Sequence, residues 1–330
     1  MTDRLSFQNL HTALRAVAEA TRLRILALLT EAELTVSDLI EILRQSQPRI
    51  SRHLKLLLEA GLIERHREGA WAFFRVADRA GGTDIVRALT GFLDPGDATL
   101  ARDRERLAAV RQARAAAAQD YFGAHAAQWD RIRKLHAPDE AVERAIVEAL
   151  ADKPFRSLLD LGTGTGRMLE LFGPEIERGL GIDLSPAMLS IARARLDRAN
   201  LKNCSVRQGD IYDIAAPRDS FDVVIIHQVL HYVEDGARAI REAARVLAPS
   251  GRLLVVDFAP HDLEFLREEH AHHRLGFADE TVSQWLAAAG LDVIGHRSIP
   301  PEPGSEGKIA VSIWVGRDPR IVLAGRREVA

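Results

Sequence analysis

The segment that decides the fold is Leu158-Leu159-Asp160-Leu161-Gly162-Thr163-Gly164-Thr165-Gly166-Arg167, residues 158–167. It starts as an apolar run typical of a buried strand and ends in alternating glycines before a helical pattern. Glycine lets the backbone turn sharply and approach a ligand closely, and the N-terminus of a following helix favours anionic groups. The glycine spacing differs from the G-x-G-x-x-G of dinucleotide-binding folds. The segment therefore predicts a strand–loop–helix unit whose loop binds another kind of ligand.

Further strand-like runs follow this loop and alternate with helical segments. The predicted strands are 157–161, 179–182, 204–206, 221–226 and 253–256, followed by 291–299 and 309–315. The first five predict a parallel sheet covered by helices on both faces. The Pro/Gly-rich stretch 300–307 predicts that the last two form an antiparallel pair at one edge. The C-terminal part is thus predicted to be a seven-stranded α/β Rossmann-like fold.

Polar residues stand at the ends of successive predicted strands. Asp183 ends the second strand, Asp210-Ile211 follow the third, and His227-Gln228 follow the fourth. Open α/β sheets bind ligands at the carboxyl ends of their strands. A helix N-cap would explain any one aspartate equally well. The ordered set, one at each strand end, predicts a ligand site.

The N-terminal part has a different pattern. A possible N-cap at Thr35 begins a helical pattern over 35–43, a break follows at 45–48, and a second helical pattern covers 49–60 before Gly61. Residues 62–76 then predict a β-hairpin with its turn near Glu68-Gly69. Two short helices, a tight turn and a hairpin predict an α+β winged helix-turn-helix, mostly helical with one hairpin.

Positive charge is concentrated in this N-terminal part. Residues 44–75 hold seven Arg or Lys side chains against three Glu side chains, a local charge of +4 in a chain whose net charge is −3. A solvated helix face explains any single arginine, but the whole order predicts contact with double-stranded operator DNA. The predicted DNA-binding residues are Gln47, Arg49, Ser51, Arg52, His53, Lys55, Arg65 and Arg67.

The length of 330 residues predicts two domains. We predict a winged-helix domain over 1–95, a connecting or dimerisation helix over 96–120, the α/β domain over 121–316 and a tail over 317–330. The single cysteine, Cys204, excludes an internal disulfide and a cysteine-cluster metal site. The sequence shows neither a signal-like N-terminus nor an apolar run of ~20 residues. It therefore predicts a cytoplasmic protein without a membrane partner.

About residues 5–78 resemble the ArsR family of winged-helix repressors. The resemblance rests on residues 20–26, 51–57, 60–63 and 67–71, which read ATRLRIL, SRHLKLL, AGLI and REGAW. It implies a homodimer with the recognition helix in the major groove. Many members sense soft metals through a Cys-x-Cys in the helix-turn-helix, where this chain has Thr35 and Ser37. Hydroxyl groups are poor ligands for soft metals, so we exclude metal sensing there and predict no metal.

Residues 121–316 resemble the class I S-adenosylmethionine (SAM) methyltransferases, especially the small-molecule branch that includes the ubiquinone/menaquinone type. The resemblance implies SAM or S-adenosylhomocysteine (SAH) as cofactor, with Asp183 at the ribose, Asp210-Ile211 at the adenine and His227-Gln228 at the methionine end. Tyr121 and Trp129, in a lid-like segment, either close on SAM or only pack the lid. The full predicted cofactor set is Tyr121, Trp129, Asp160, Gly162, Thr163, Gly164, Gly166, Asp183, Leu184, Asp210, Ile211, His227 and Gln228.

No obligatory catalytic residue is visible, and the candidate bases are His227, His231 and His273. The histidine-rich stretch 261–277 is predicted to be a helix that lines an acceptor pocket or faces solvent. Its i, i+2, i+3 spacing places at most His270 and His273 on one face, which argues against a metal site. Arsenite methylation, which would need several cysteines, is excluded.

Three functional hypotheses remain open. In the first, DNA binding is controlled by SAM or SAH, and the methyltransferase domain acts mainly as a sensor. In the second, an active small-molecule methyltransferase also regulates transcription. In the third, an O- or C-methyltransferase uses its winged helix only to dimerise. We favour a dimeric repressor that couples SAM or SAH to operator affinity through the helix over 97–119. The basic helix and wing argue against the third hypothesis.

Overall fold

A computed structural model of the chain describes residues 6–68, 71–77, 82–126, 139–301 and 309–321. It divides into two units, Met1–Ala116 and Ala117–Ala330. The finer domain limits given above stay a prediction. The turn residue Gly69 and the lid residue Trp129 lie outside the described residues, as does the tail beyond residue 321.

The first unit is mainly helical. Its helices are α1 (Phe7–Val17), α2 (Ala20–Leu29), α3 (Val36–Leu43), α4 (Gln47–Glu59), α5 (Gly82–Gly91) and the first part of α6 (Ala98–His125). Its three strands, β1 (Leu34–Thr35), β2 (Ile63–Glu68) and β3 (Trp71–Val76), form an antiparallel sheet in the order β1-β3-β2. The predicted helix-turn-helix and hairpin are therefore confirmed.

Two details of this unit differ from the prediction. Strand β1 was not predicted, because two residues carry no period-two pattern, and it adds a third strand to the hairpin. Helix α4 begins at Gln47, two residues earlier than predicted, because Pro48 fits the first turn of a helix, where no N–H is needed. Gly61 follows α4 with a φ of 69°, which explains where the helix ends.

The second unit contains a seven-stranded sheet. Its strands are β4 (Ser157–Leu161), β5 (Arg178–Asp183), β6 (Cys204–Gln208), β7 (Phe221–His227), β8 (Leu247–Phe258), β9 (Asp292–Ile299) and β10 (Val311–Arg317). Its helices are α7 (Asp139–Leu150), α8 (Arg167–Phe172), α9 (Pro186–Arg198), α10 (Gly236–Val246), α11 (Phe265–His270) and α12 (Asp279–Ala288). The strand order is β6-β5-β4-β7-β8-β10-β9.

The sheet topology confirms the predicted α/β fold. Strands β4 to β8 are parallel to one another, and β10 is antiparallel to both β8 and β9. Residues 223–226 and 253–256 are wholly buried, which is why the central strands read as continuous apolar runs. Cys204, at the start of β6, is buried as well.

The histidine-rich segment is where the predicted secondary structure was wrong. Instead of a helix through 261–277, α11 covers only Phe265–His270, and Ala271 takes a left-handed conformation with a φ of 56°. His272 and His273 therefore lie beyond the helix, so the spacing argument for that segment does not apply. No helix among the described residues is long and apolar enough to cross a membrane.

Candidate cofactor and DNA-binding sites

The glycine-rich loop joins the end of β4 to the start of α8. Gly162, Gly164 and Gly166 have φ values of 70°, 51° and 82°, a region that favours glycine. Space is limiting as well, because a Cβ at Gly162 would overlap the Val229 side chain and one at Gly166 would lie 3.1 Å from the Ala192 Cβ. The loop is therefore a tight backbone turn at the carboxyl end of a central strand.

Two carboxylates, one on the buried Asp160 and one on the partly buried Asp183, hold this loop. Asp160 accepts a hydrogen bond of 2.6 Å from the Thr163 hydroxyl. Asp183, at the end of β5, accepts backbone N–H bonds from Gly164 at 2.9 Å and from Ser185 at 2.8 Å. Burial raises the pKa of the Asp183 carboxyl above its ordinary value. The structure thus brings Asp160, Thr163, Gly164 and Asp183 together at the ends of β4 and β5.

The predicted adenine-binding residues lie at the neighbouring strand ends. Asp210 accepts a hydrogen bond of 2.8 Å from the Tyr212 backbone N–H, which closes a turn just after β6. Ile211 is buried in the core, whereas Leu184 exposes 40% of its surface after β5. An exposed apolar side chain next to Asp183 suits the flat face of an adenine ring.

Gln228 is the most informative residue at the end of β7. It has a φ of 55°, and its backbone N–H donates to the Val256 carbonyl at 2.7 Å. The residue is 6% exposed, and its side-chain Nε2 has no hydrogen-bond partner among the described residues. A buried donor without an acceptor is costly unless a ligand supplies one. The residues present therefore fit SAM, whose methionine end carries a carboxylate.

Of the candidate bases, the structure places His231 in the most specific surroundings. Its Nδ1 lies 2.7 Å from Asp257 Oδ1, and both side chains are almost completely buried. The backbone N–H of His273 donates to the His231 carbonyl at 2.8 Å, so these two residues lie together, whereas His227 ends β7. Asp257 was not predicted as a site residue. It nevertheless follows the apolar run 253–256 and therefore stands at the end of a predicted strand, as Asp183 does.

The aromatic residues near this pair come from several elements. Tyr121, in the last turns of α6, places its hydroxyl 2.5 Å from His270 Nδ1 and stacks on His125. Phe122 packs edge-on against Tyr232 at 4.7 Å between ring centroids. Within the described part of the chain, no three His, Cys, Asp or Glu residues are grouped so that they could hold a metal ion.

Most of the predicted DNA-binding residues are exposed on α4 and β2. Ile50, Leu54 and Leu57 are buried, which fixes the inward face of α4. The exposed residues are Gln47, Arg49, Ser51, Arg52 and Lys55 on α4 and Arg65 and Arg67 on β2.

His53 is not among these exposed residues. Its side chain is 13% exposed and lies 3.5 Å from Glu19 Oε2. Burial lowers the pKa of its imidazole. The structure therefore separates His53 from the residues that can reach a phosphate.

Thr35, one of the two residues that stand where many ArsR-family members have a Cys-x-Cys, has a structural role of its own. Thr35 is the N-cap of α3, and its hydroxyl accepts a hydrogen bond of 3.2 Å from the Asp38 N–H. In return, the Asp38 carboxylate accepts a hydrogen bond of 2.8 Å from the Thr35 backbone N–H. This reciprocal arrangement is a capping box, so Thr35 contributes to helix stability.

Comparison with known proteins matches two different families to separate segments of the chain. Residues 19–65 match the family model of the bacterial regulatory proteins of the arsR family, and residues 159–255 match that of a methyltransferase domain. The two resemblances stated from the sequence are therefore confirmed for these segments. The methyltransferase match also supports the predicted cofactor, SAM.

Two curated relatives align with less than half of this chain. An uncharacterized methyltransferase, YcgJ of Bacillus subtilis, is 29% identical over 43% of this chain and 58% of its own length. The demethylmenaquinone methyltransferase of Deinococcus radiodurans is 34% identical over 46% of this chain and 64% of its own. The chain thus spans less than two thirds of either relative.

A solved structure with a similar fold is the complex between the Haloferax volcanii Trm112 methyltransferase activator and the putative methyltransferase. It is 26% identical, covers 60% of this chain and 98% of its own, and has a TM-score of 0.50.

Proposed function

We propose that this chain, in which an ArsR-family helix-turn-helix domain precedes a methyltransferase domain, is a dimeric transcriptional repressor controlled by its own methyltransferase domain. That domain binds SAM or SAH and transfers a methyl group to a small molecule. The observation that carries the proposal is the buried, unpartnered amide of Gln228 beside a complete glycine loop. It supports a ligand site in the second unit, whereas a capping box stands where the ArsR resemblance would place a metal-sensing thiolate pair.

Operator binding is supported by the exposed surface of α4 and β2. Arg49, Arg52 and Lys55 face solvent on α4, and Arg65 and Arg67 continue the positive charge along β2. Cations on a recognition helix and wing neutralise phosphates, so we expect affinity to fall steeply as salt rises.

Coupling through α6 is supported by the contacts that this helix makes inside each unit. Within the first unit, Arg24 donates two hydrogen bonds of 2.6 Å to the buried Asp103, and Arg106 donates one of 3.0 Å to the Ile42 carbonyl at the end of α3. Within the second unit, Tyr121 on the same helix binds His270. A helix fixed to both α3 and the ligand-binding unit can carry a structural change between them.

SAM supplies an electrophilic methyl group on a positively charged sulfur. The role of the chain is to bind and align it: Asp183 would accept hydrogen bonds from the ribose hydroxyls, and Gln228 would donate one to the methionine carboxylate. Alignment of the two reactants is the largest part of what such a transfer requires.

The test is a gel-shift titration of the promoter upstream of the gene, at low salt, without ligand and with SAM or SAH. We expect a specific shift whose affinity changes by about 5-fold or more with one of the two ligands. Asp183→Asn should remove the ligand effect and leave the ligand-free affinity unchanged. Asp197→Asn, at an exposed position on α9, is the matched control.

Each other result selects a different function. Identical affinity in all three conditions would rule out the sensor. Absence of any shift at low salt would favour a methyltransferase whose winged helix only dimerises. Release of SAH in the presence of phenols, quinols or thiols measures methyl transfer directly, independently of DNA.

A further inference from the structure

The carboxyl ends of β7 and β8 bring His231 and Asp257 together next to the predicted methionine end of the cofactor site. His231 lies in the helical turn Leu230–Tyr232, three residues after Gln228. Asp257 is the second-last residue of β8, the strand that pairs with β7. The pair is therefore placed where a methyl acceptor would approach in a sheet of this topology.

The hydrogen bonds of this pair fix the orientation of the imidazole. His231 Nδ1 lies 2.7 Å from Asp257 Oδ1, and the His231 backbone N–H donates to Asp257 Oδ2 at 3.3 Å. The Phe258 N–H donates to Asp257 Oδ1 at 2.8 Å. A carboxylate that accepts the Nδ1 proton leaves Nε2 as the basic nitrogen of the ring. Asp257 thus selects one tautomer and one ring orientation.

The surroundings of His231 are aromatic. The ring centroids of Tyr232, His272 and Phe258 lie 4.1, 4.2 and 4.9 Å from that of His231. Burial lowers the pKa of the neighbouring His261 to about 4, so that imidazole is neutral at neutral pH, and its Nε2 has no hydrogen-bond partner among the described residues. Aromatic side chains interspersed with a few polar atoms favour a planar ring that carries a hydroxyl group.

We propose that His231 is the general base for methyl transfer to the hydroxyl of a planar aromatic acceptor, such as a phenol or quinol, and that Asp257 positions it. This inference rests on the proposed methyltransferase function. The acceptor O–H proton passes to His231 Nε2 while the oxygen–carbon bond forms and the carbon–sulfur bond breaks. The products are a methyl ether, neutral SAH and an imidazolium stabilised by Asp257, which then releases its proton to water.

The first test compares His231→Gln, Asp257→Asn and a matched control, His296→Gln. His296 Nδ1 lies 3.2 Å from Asp279 Oδ2 at the edge strand β9, so the control breaks a histidine–aspartate pair outside the site. With the best phenol or quinol of a panel, we expect H231Q to lower kcat by about 100-fold or more with KM unchanged. D257N should lower kcat by about 10- to 100-fold, and H296Q should match the wild type.

A pre-ionised acceptor separates a base from a residue that only maintains the pocket. At mildly alkaline pH 4-nitrophenol is largely ionised and needs no base, so H231Q should methylate it as fast as the wild type. Equal losses with the ionised and un-ionised acceptors would overturn the assignment. So would unchanged turnover of the un-ionised acceptor in H231Q.

Two measurements do not depend on turnover. In the unliganded protein, an imidazole N–H proton resonance at low field should be lost in D257N and retained in H296Q. Calorimetry with SAH should give the wild-type affinity for H231Q. If His231→Gln and His231→Asn both lose SAH binding, the pair is structural and the proposal is wrong. If the wild type binds SAH but methylates no member of the panel, the acceptor assignment fails while the cofactor assignment stands.

Discussion

Asp183 combines burial with an expected charged role. Its side chain is held by two backbone N–H groups, yet burial raises the pKa of its carboxyl above the ordinary 3.8. Ribose hydroxyls that donate to this carboxyl would favour its ionised form. Ligand binding and deprotonation of Asp183 are therefore coupled, and acid should weaken binding.

The pH dependence of SAH binding tests this coupling. Because burial raises the pKa of Asp183 above the ordinary 3.8, affinity should fall as pH decreases from neutral toward 3.8, before an ordinary aspartate would protonate. Asp183→Asn should bind SAH about 10- to 100-fold more weakly and lose most of this pH dependence, since a charge-assisted hydrogen bond is removed. Calorimetry at a series of pH values measures both. An affinity that is flat over this range in the wild type would contradict the assignment.

At the level of single residues, the sequence predicted the site residues that stand at strand ends. It did not predict the roles of residues that depend on contacts with distant parts of the chain. The glycines and Asp183 were predictable because their positions follow from the strand pattern alone. The role of Asp257 depends on its contact with His231, which lies 26 residues away in the sequence, and only the sheet brings the two together. His53 was predicted as a DNA contact, but its contact with Glu19 depends on how α2 packs against α4.

The stability of helix α3 depends on its N-cap residue, Thr35, more than on its length. It has eight residues, and its start is fixed by the reciprocal hydrogen bonds of Thr35 and Asp38. Short helices are marginal without a cap, because four N–H groups at the N-terminus lack partners. The stability of the helix-turn-helix should therefore depend on Thr35.

The matched variants are Thr35→Ala and Ser37→Ala, which remove the two hydroxyls at the positions of the absent thiolate pair. Thr35 is buried and caps the helix, whereas Ser37 is exposed. We expect T35A to destabilise the helix-turn-helix by about 1–2 kcal/mol and S37A by less than about 0.5 kcal/mol. Hydrogen exchange of peptides covering 36–59 in the full chain measures this locally. Equal protection in both variants would show that the cap contributes nothing.

Among the elements, type and order were predicted better than limits. The strands β4, β5 and β7 were predicted to within one residue at each end, because burial on both faces leaves a strong pattern, whereas β8 begins at Leu247, six residues before its predicted start. The end of α11 was not predicted, because Ala271 adopts a left-handed conformation that an alanine in a sequence does not indicate. Strand β1 was missed because its two residues form a strand only by pairing with β3.

At the scale of the whole molecule, α1 leaves an apolar stripe on the surface. Phe7, Leu10 and Leu14 are 84%, 41% and 47% exposed, and their spacing puts them on one face of the helix. Such an exposed apolar face favours association. We take it as support for the proposed homodimer, which would also present two copies of α4 to an operator with two half-sites.

Two substitutions test this stripe without removing a buried side chain. Phe7→Glu and Leu14→Glu together should convert the dimer to a monomer in light scattering and weaken operator binding strongly, because two half-sites are no longer joined. Ile321→Glu, at a residue 79% exposed in the second unit, should leave the mass unchanged. A double variant that stays dimeric would assign the interface to another surface.

The lone cysteine has a practical consequence. Cys204 is buried at the start of β6, and burial raises the pKa of its thiol, so little thiolate is available to react. Toward maleimide reagents, the folded protein should behave as a molecule without cysteine. A cysteine introduced at an exposed site on each unit, such as Ser51 and Asp197, would then take a fluorophore cleanly. Energy transfer between the two dyes could follow, in real time, how far the DNA-binding unit moves when SAM or SAH is added.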